Sequence, residues 1–161
     1  MMKRRVLLIC ALAIIAASCV SVNPPVENAD AALNYGKVLM NEGKFALAII
    51  EFKKARDFFN EAGYTYSAFS VYPYIARGYY LSGNREEAIA TYFEALDYAK
   101  ERIDKVGKND IADVMRELAG LLVEDKRTDE ARYLLMDAAQ LYKDAGNYKA
   151  LDEVVKQLNE L

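Results

Sequence analysis

The 161-residue chain contains no histidine. That absence excludes His-ligated metals, Ser-His and Cys-His nucleophile pairs, and imidazole proton shuttles. There is no tryptophan, and there are only three prolines and eight glycines, so little interrupts helix. Cysteine is scarce too: Cys10 and Cys19 are the only two, which is no disulfide framework. Basic residues do not dominate, with 21 Lys and Arg against 24 Asp and Glu. A net-acidic body argues against general nucleic-acid binding, which needs cations to displace phosphate counterions. What is present is 53% apolar and 28% charged sequence rich in Ala, Leu, Glu, Lys and Tyr. The length favours one domain, and the composition favours a helical, globular class over disorder or multiple membrane spans.

The first residues read as an export signal. Lys3, Arg4 and Arg5 precede a 12-residue apolar run over 6–17, and small residues follow. A run this short is an h-region; a span needs about 20 residues. The sequence Ala16-Ala17-Ser18-Cys19 resembles the lipobox of bacterial lipoproteins, with Ala in place of the commonest Leu three residues before the Cys. That resemblance implies lipid attachment at Cys19, cleavage before it, and a membrane anchor. Plain signal cleavage at the same bond is the alternative. It would leave Cys19 as a single cysteine in an exported protein, a singleton that lipidation explains. Removal of 1–18 lowers the basic count from 21 to 18 against 24 acids, a net charge of −6. Val20 follows the Cys, which by resemblance to enteric sorting implies the outer membrane, facing the periplasm. Residues 19–28, with Asn23-Pro24-Pro25, are expected to form an extended tether.

From residue 29 the chain repeats itself. An Ala is followed by a large apolar residue four positions later and another Ala three after that. The triplets are Ala48/Phe52/Ala55, Ala88/Tyr92/Ala95 and Ala131/Leu135/Ala138, offset by 40 and 43 residues. A small residue lies 12 before each first Ala, at Gly36, Ala76 and Ala119, and a large one nine before it, at Leu39, Tyr79 and Leu122. Positions i, i+4 and i+7 share one helix face, and the Gly or polar break between halves marks a turn. Each unit is therefore a pair of antiparallel helices, with small residues letting the axes approach to roughly 8–10 Å.

These positions resemble the tetratricopeptide repeat (TPR) over residues 29–145. The resemblance departs from the usual pattern at Ala32, Tyr72 and Met115 in the Trp-like position, in the lack of a closing Pro, and in its longer periods. It implies an all-α, right-handed solenoid of three helical hairpins plus a C-terminal capping helix. The repeats are expected at about 29–63, 69–107 and 112–146, with the cap over 148–160, where Leu151, Val154, Val155 and Leu158 form one apolar stripe. Gly63 and Gly146 suit positions just past a helix. The middle unit runs on to Gly107, about one helical turn more, so its second helix is expected to be longest. Asn28, Asn84, Asn109, Thr128 and Asn147 are the expected N-caps, with Glu87 completing a capping box on Asn84. Pro73 is tolerated if its helix starts after Ser70, and otherwise kinks it.

No nucleophile-base pair, phosphate loop or metal cluster stands out, and no catalytic residue, cofactor or metal is expected. The paired acids Glu86-Glu87, Asp129-Glu130 and Asp152-Glu153 fall in first helical turns, where the macrodipole favours them. Six Tyr and Phe69 crowd 64–80, chiefly as fillers of helix–helix layers. In the family the first helix of each pair lines a concave face. Carried over by register, that implies a groove of Leu33, Lys37, Met40 and Asn41, then Pro73, Arg77, Tyr80 and Leu81, then Arg116, Gly120, Val123 and Glu124. The surface lacks the paired Lys and Asn with which family members clamp a terminal carboxylate. The expected function is a non-enzymatic lipoprotein scaffold of the bacterial envelope that holds a segment of another envelope protein. An accessory small-ligand carrier of a periplasmic transporter, with Met40, Tyr80 and Val123 around one apolar cavity, is the alternative; a wall-acting enzyme would need a shielded acid pair.

Overall fold

The computed structural model describes residues 24–161. The leader, Cys19 and residues 19–23 of the expected tether lie outside them. Eight helices follow one another, and no strand occurs among the described residues. They are α1 (Pro24–Asn41), α2 (Phe45–Glu61), α3 (Thr65–Leu81), α4 (Arg85–Lys100), the short α5 (Ile103–Val106), α6 (Lys108–Glu124), α7 (Thr128–Asp144) and α8 (Tyr148–Glu160). Among them no helix is long and apolar enough to cross a membrane.

The repeat period has a simple physical origin. Helices α2, α3, α6 and α7 have 17 residues each, and three-residue turns separate consecutive long helices everywhere but between α4 and α6. Two such helices and two such turns make the 40-residue step. The turns are alike in detail. After α2, the Gly63 N–H bonds the Asn60 carbonyl at 3.0 Å and the Tyr64 N–H bonds the Phe59 carbonyl at 2.9 Å. The same two bonds recur after α1, α3, α6 and α7. This Schellman closure needs one residue in the left-handed region. Gly43, Gly63, Gly83 and Gly146 supply it with φ between 72° and 84°, whereas α6 ends on Lys126 at φ 61°. A side chain there carries the steric cost that glycine avoids. Lys126→Gly should therefore raise stability by about 0.5–1 kcal/mol, seen as a melting temperature higher by roughly 2–4 °C. A lower melting temperature would show that the lysine side chain does something the turn geometry does not.

All nine triplet residues are core, between 0% and 6% exposed. The small positions explain the close crossings: a Cβ placed on Gly36 would stand 2.6 Å from the Phe52 ring, and one on Gly78 would stand 2.6 Å from Ile49 Cγ1. One apolar cluster joins α1, α2 and α3. A second runs from α3 to α8 and is closed by Val154 and the partly buried Leu151 and Leu158. Tyrosines aside, Thr91 is the one buried polar side chain among the described residues, and its hydroxyl donates to the Glu87 carbonyl at 2.7 Å. The arrangement is an all-α solenoid of stacked hairpins with a capping last helix.

Several boundaries differ from expectation. Residues 24–28 are the first turn and more of α1, so the tether does not extend through them, and Asn28 is inside the helix. The second hairpin starts at Thr65 rather than 69, and the first helix of the third at Lys108 rather than 112, placing Asn109 inside α6. A three-residue turn leaves no loop, so the length beyond the family norm lies in first helices as well as second ones. Pro73 accordingly sits in mid-α3, where it supplies no N–H to the Phe69 carbonyl. The middle second helix is not the longest: α4 stops at Lys100 with 16 residues. The extra residues form α5, a separate turn ended by Gly107 at φ 93° with Val106 only 1% exposed beneath it. Asn84 and Glu87 form no capping box, since the Asn84 amide donates instead to Ser82 Oγ at 3.0 Å. Thr128 is the first residue of α7, with Arg127 at the N-cap. Asn147 does cap α8, accepting from the Ala150 N–H at 3.2 Å.

Candidate interaction groove

First helices α1, α3 and α6 and the capping helix α8 share one face, and a row of clefts runs along it. Between α1 and α3 lies a recess of about 180 Å³ that includes Lys37, Met40, Asn41 and Leu81, with Phe52 and Tyr74 beneath and beside them. Between α3 and α6 the cleft widens to about 490 Å³, and Pro73, Arg77, Tyr80 and Glu117 line it. Arg77 and Tyr74 belong to both, so the two are continuous. A third cleft of about 320 Å³ is walled by Arg116, Gly120 and Val123 of α6 and by Gln157, Glu160 and Leu161 at the chain end.

Most residues expected in the groove thus line one of these clefts. Two differ. Leu33 lines none of them and packs, half-buried, against the first core cluster. Glu124 lies at the rim, where it accepts from the Tyr80 hydroxyl at 3.1 Å and pairs with Arg85 at 3.2 Å. Met40, Tyr80 and Val123 fall in three different clefts, so they enclose no common apolar cavity. Register did not single out Tyr74, which stands at i+4 from Ser70 and i−3 from Arg77 on one helix face. With α3 begun at Thr65 that spacing becomes visible. The share of α8 has no sequence signal, because it depends on how the last helix packs.

Tyrosines and acids tie α6 to α3, α4 and α7. Tyr66 donates to Asp110 at 3.1 Å across the α3–α6 junction, and the Asp110 charge holds its hydroxyl above the usual pKa. Tyr92 of α4 donates to Glu117 at 2.7 Å. Burial first, and then that acceptor, push the Tyr92 pKa far up. Tyr142, fully buried under α6, donates to Asp113 and is shifted upward for the same reasons, burial first. Arg116 reaches Glu153 at 3.1 Å and Asp113 at 3.5 Å, which links α6 to the cap. Lys37 is held differently, with its ammonium 4.9 Å from the centroid of the Tyr74 ring. The acid pairs at 86–87, 129–130 and 152–153 are exposed and do not meet in a common pocket. Among the described residues no group of three or more His, Cys, Asp or Glu could hold a metal ion.

On the opposite side, where α5 spreads α4 from α7, an apolar cleft of about 430 Å³ lies among Leu96, Ile103, Ile111, Met115 and Leu141. Nothing in the repeat register pointed to it, because it exists only where the period stretches.

No protein-family model matches the chain, and none of the curated proteins does. Solved structures do match. Two crystal structures of the nearly identical TPR-like repeats of a putative kinesin light chain from Podosopora anserina are similar over 83% of this chain and 74% of theirs, at 14% identity. The TM-score is 0.57 for the form carrying a single substitution and 0.56 for the form without it. With the helix order and the buried triplets, these likenesses identify the fold as a TPR-like helical repeat solenoid.

Proposed function

We propose that the chain is a non-enzymatic scaffold of the bacterial cell envelope, anchored by lipid at Cys19, whose groove holds a segment of another envelope protein. The observation that carries the binding half is the row of clefts on one face, continuous from Lys37 through Arg77 to Tyr80. A preformed surface of this kind takes a helix or an extended peptide without ordering itself first. Tyr and Arg, which dominate contact energy at interfaces, sit at its middle. Arg77 and Tyr80 are exposed, so removing their side chains leaves the core intact.

The test is photo-crosslinking in cells from a residue introduced at Leu81, followed by identification of the captured segment. Arg77→Ala and Tyr80→Ala should each weaken capture by about tenfold or more, while the melting temperature of the purified protein stays within about 2 °C of wild type. Undiminished capture would remove the groove assignment. The anchor has its own test. Acyl chains contribute roughly 0.8 kcal/mol per buried methylene, so Cys19→Ser should move the protein from the membrane pellet to the soluble fraction. Retention of that variant in the pellet would refute lipidation. A small-ligand role, the second reading, draws support from the apolar cleft beside α5 rather than from the groove.

A further inference from the structure

The two ends of the solenoid are unlike. Inside the array, the first helix of a hairpin packs on the hairpin before it. In α3 the positions that do so are Val71, Ile75 and Gly78, and their equivalents in α6, 43 residues on, are Val114, Leu118 and Leu121. Val71 and Ile75 are buried in the cluster that joins α3 to α1 and α2, and a Cβ on Gly78 would meet Ile49 of α2. Val114 and Leu118 are buried in the cluster that reaches back to α3 and α4. In α1, 40 residues before the α3 set, the same positions are Ala31, Tyr35 and Val38. Among the described residues no hairpin covers them: Tyr35 is 56% exposed, where Ile75 is 1% and Leu118 0%. Val38 is half exposed, and so, across the connecting turn, are Leu47 and Ile50 of α2. Leu47 stands where the later units carry Glu87 and Glu130, so the first unit is apolar where the others are charged.

The far end is finished differently. Counted from the N-caps Gly107 and Asn147, Asp152 and Asn159 of α8 stand where α6 buries Ala112 and Ala119. The cap therefore turns polar groups outward at the places that would receive another hairpin. We propose that the open face of α1 and α2 docks on the same face of a second copy, forming a two-fold dimer through the first hairpins. The charges one turn beyond Val38, Leu47 and Ile50 are already paired within the hairpin, Glu42 with Lys44 at 2.8 Å and Glu51 with Lys54 at 2.7 Å. Such a face meets itself without a like-charge penalty. Stacking on another copy's cap is opposed by Asp152 and Asn159, so the contact closes at two copies instead of running on as a filament. Two helices of this length laid side by side present a face of about 25 by 20 Å. Over both copies that is about 1,000 Å², the lower bound for a specific interface, so the dimer is a weak one with micromolar affinity. Lys37 and Met40 of the groove are two residues from Tyr35 and Val38 and face another side of α1. The dimer therefore does not depend on the groove reading.

The test is photo-crosslinking in cells that make two differently tagged copies of the full chain, with the photoreactive residue at Val38. The expected product carries both tags. The same residue at Tyr133, which is more exposed but lies on α7, should give none. The yield from Val38 should fall by about tenfold or more when both copies carry Leu47→Glu, or both carry Leu47→Lys. It should return when one copy carries each. Leu47 is half exposed, so both variants should keep the protease resistance of the wild type. Products from Val38 that hold only lipid or another protein would overturn the inference, and so would the absence of any two-tag product. A two-tag product unchanged in both Leu47 variants would also overturn it, since the contact would then lie on a different face.

Discussion

Phe52→Ala should destabilise the protein by about 3–5 kcal/mol, lowering its melting temperature by roughly 10–15 °C. Phe52 is completely buried, with its ring against Tyr74 and directly over Gly36. Its loss removes both the transfer free energy of the ring and the contacts around the cavity left behind. The cavity cannot close easily, because Ala48 and Ala55 on the same helix are already at 0% exposure and set the helix spacing. The coupling to Gly36 gives a sharper form of the same expectation. Gly36→Ala in the wild type forces its new methyl into the ring, which overpacking makes costly by about 1–3 kcal/mol. In the Phe52→Ala background that clash is gone, and the same change should be neutral or favourable through helix propensity. Urea denaturation of the four proteins measures the cycle. Simple additivity would show that ring and glycine do not oppose one another.

Val154→Asp should have the second largest effect, and a local one. Val154 is the fully buried residue of α8, a helix of 13 residues that is marginal without its docking face. An ionised carboxylate there costs several kcal/mol. In a solenoid each unit touches only its neighbours, so α8 should come away while α1 to α6 keep their structure. Amide exchange would then report lost protection over 148–160, with protection over 24–124 retained. Uncovered Leu135 and Tyr142 would bind a hydrophobic dye. The sign of the pH dependence follows from burial. The introduced carboxyl has its docked-state pKa raised, so docking is favoured at low pH and lost as pH rises through that value. Acidification should therefore rescue this variant more than Val154→Asn. Loss of protection throughout the chain would instead show that the repeats unfold as one unit.

Much of the groove was legible because first-helix register carries over from repeat to repeat. Lys37, Arg77 and Gly120 hold equivalent places on one helical face, and cleft-lining positions follow from 3.6 residues per turn. Leu33 failed that transfer because the first hairpin turns it onto the core, half-buried. The helix starts were misplaced for a related reason. A tight Schellman turn has no loop residues to announce it, and Tyr64 ends one helix while beginning the next. Expecting the family's spacing put the surplus residues in second helices, when the closures distribute them between both.

The order of residues is enough to set the helical class, the hairpin repeat and the identity of the packed layers. Small and large residues at fixed intervals allow two helices to approach in one register only, and this information is local. Packing between helices is what turned the stretch from 40 to 43 residues into a detached turn, α5, which opens a cleft on the opposite side. Packing also left Arg77 and Lys37 facing a recess without a carboxylate while the capping helix neutralises Arg116. Those outcomes depend on which helices end up side by side, since the charge balance of a groove is a sum over elements far apart in the chain.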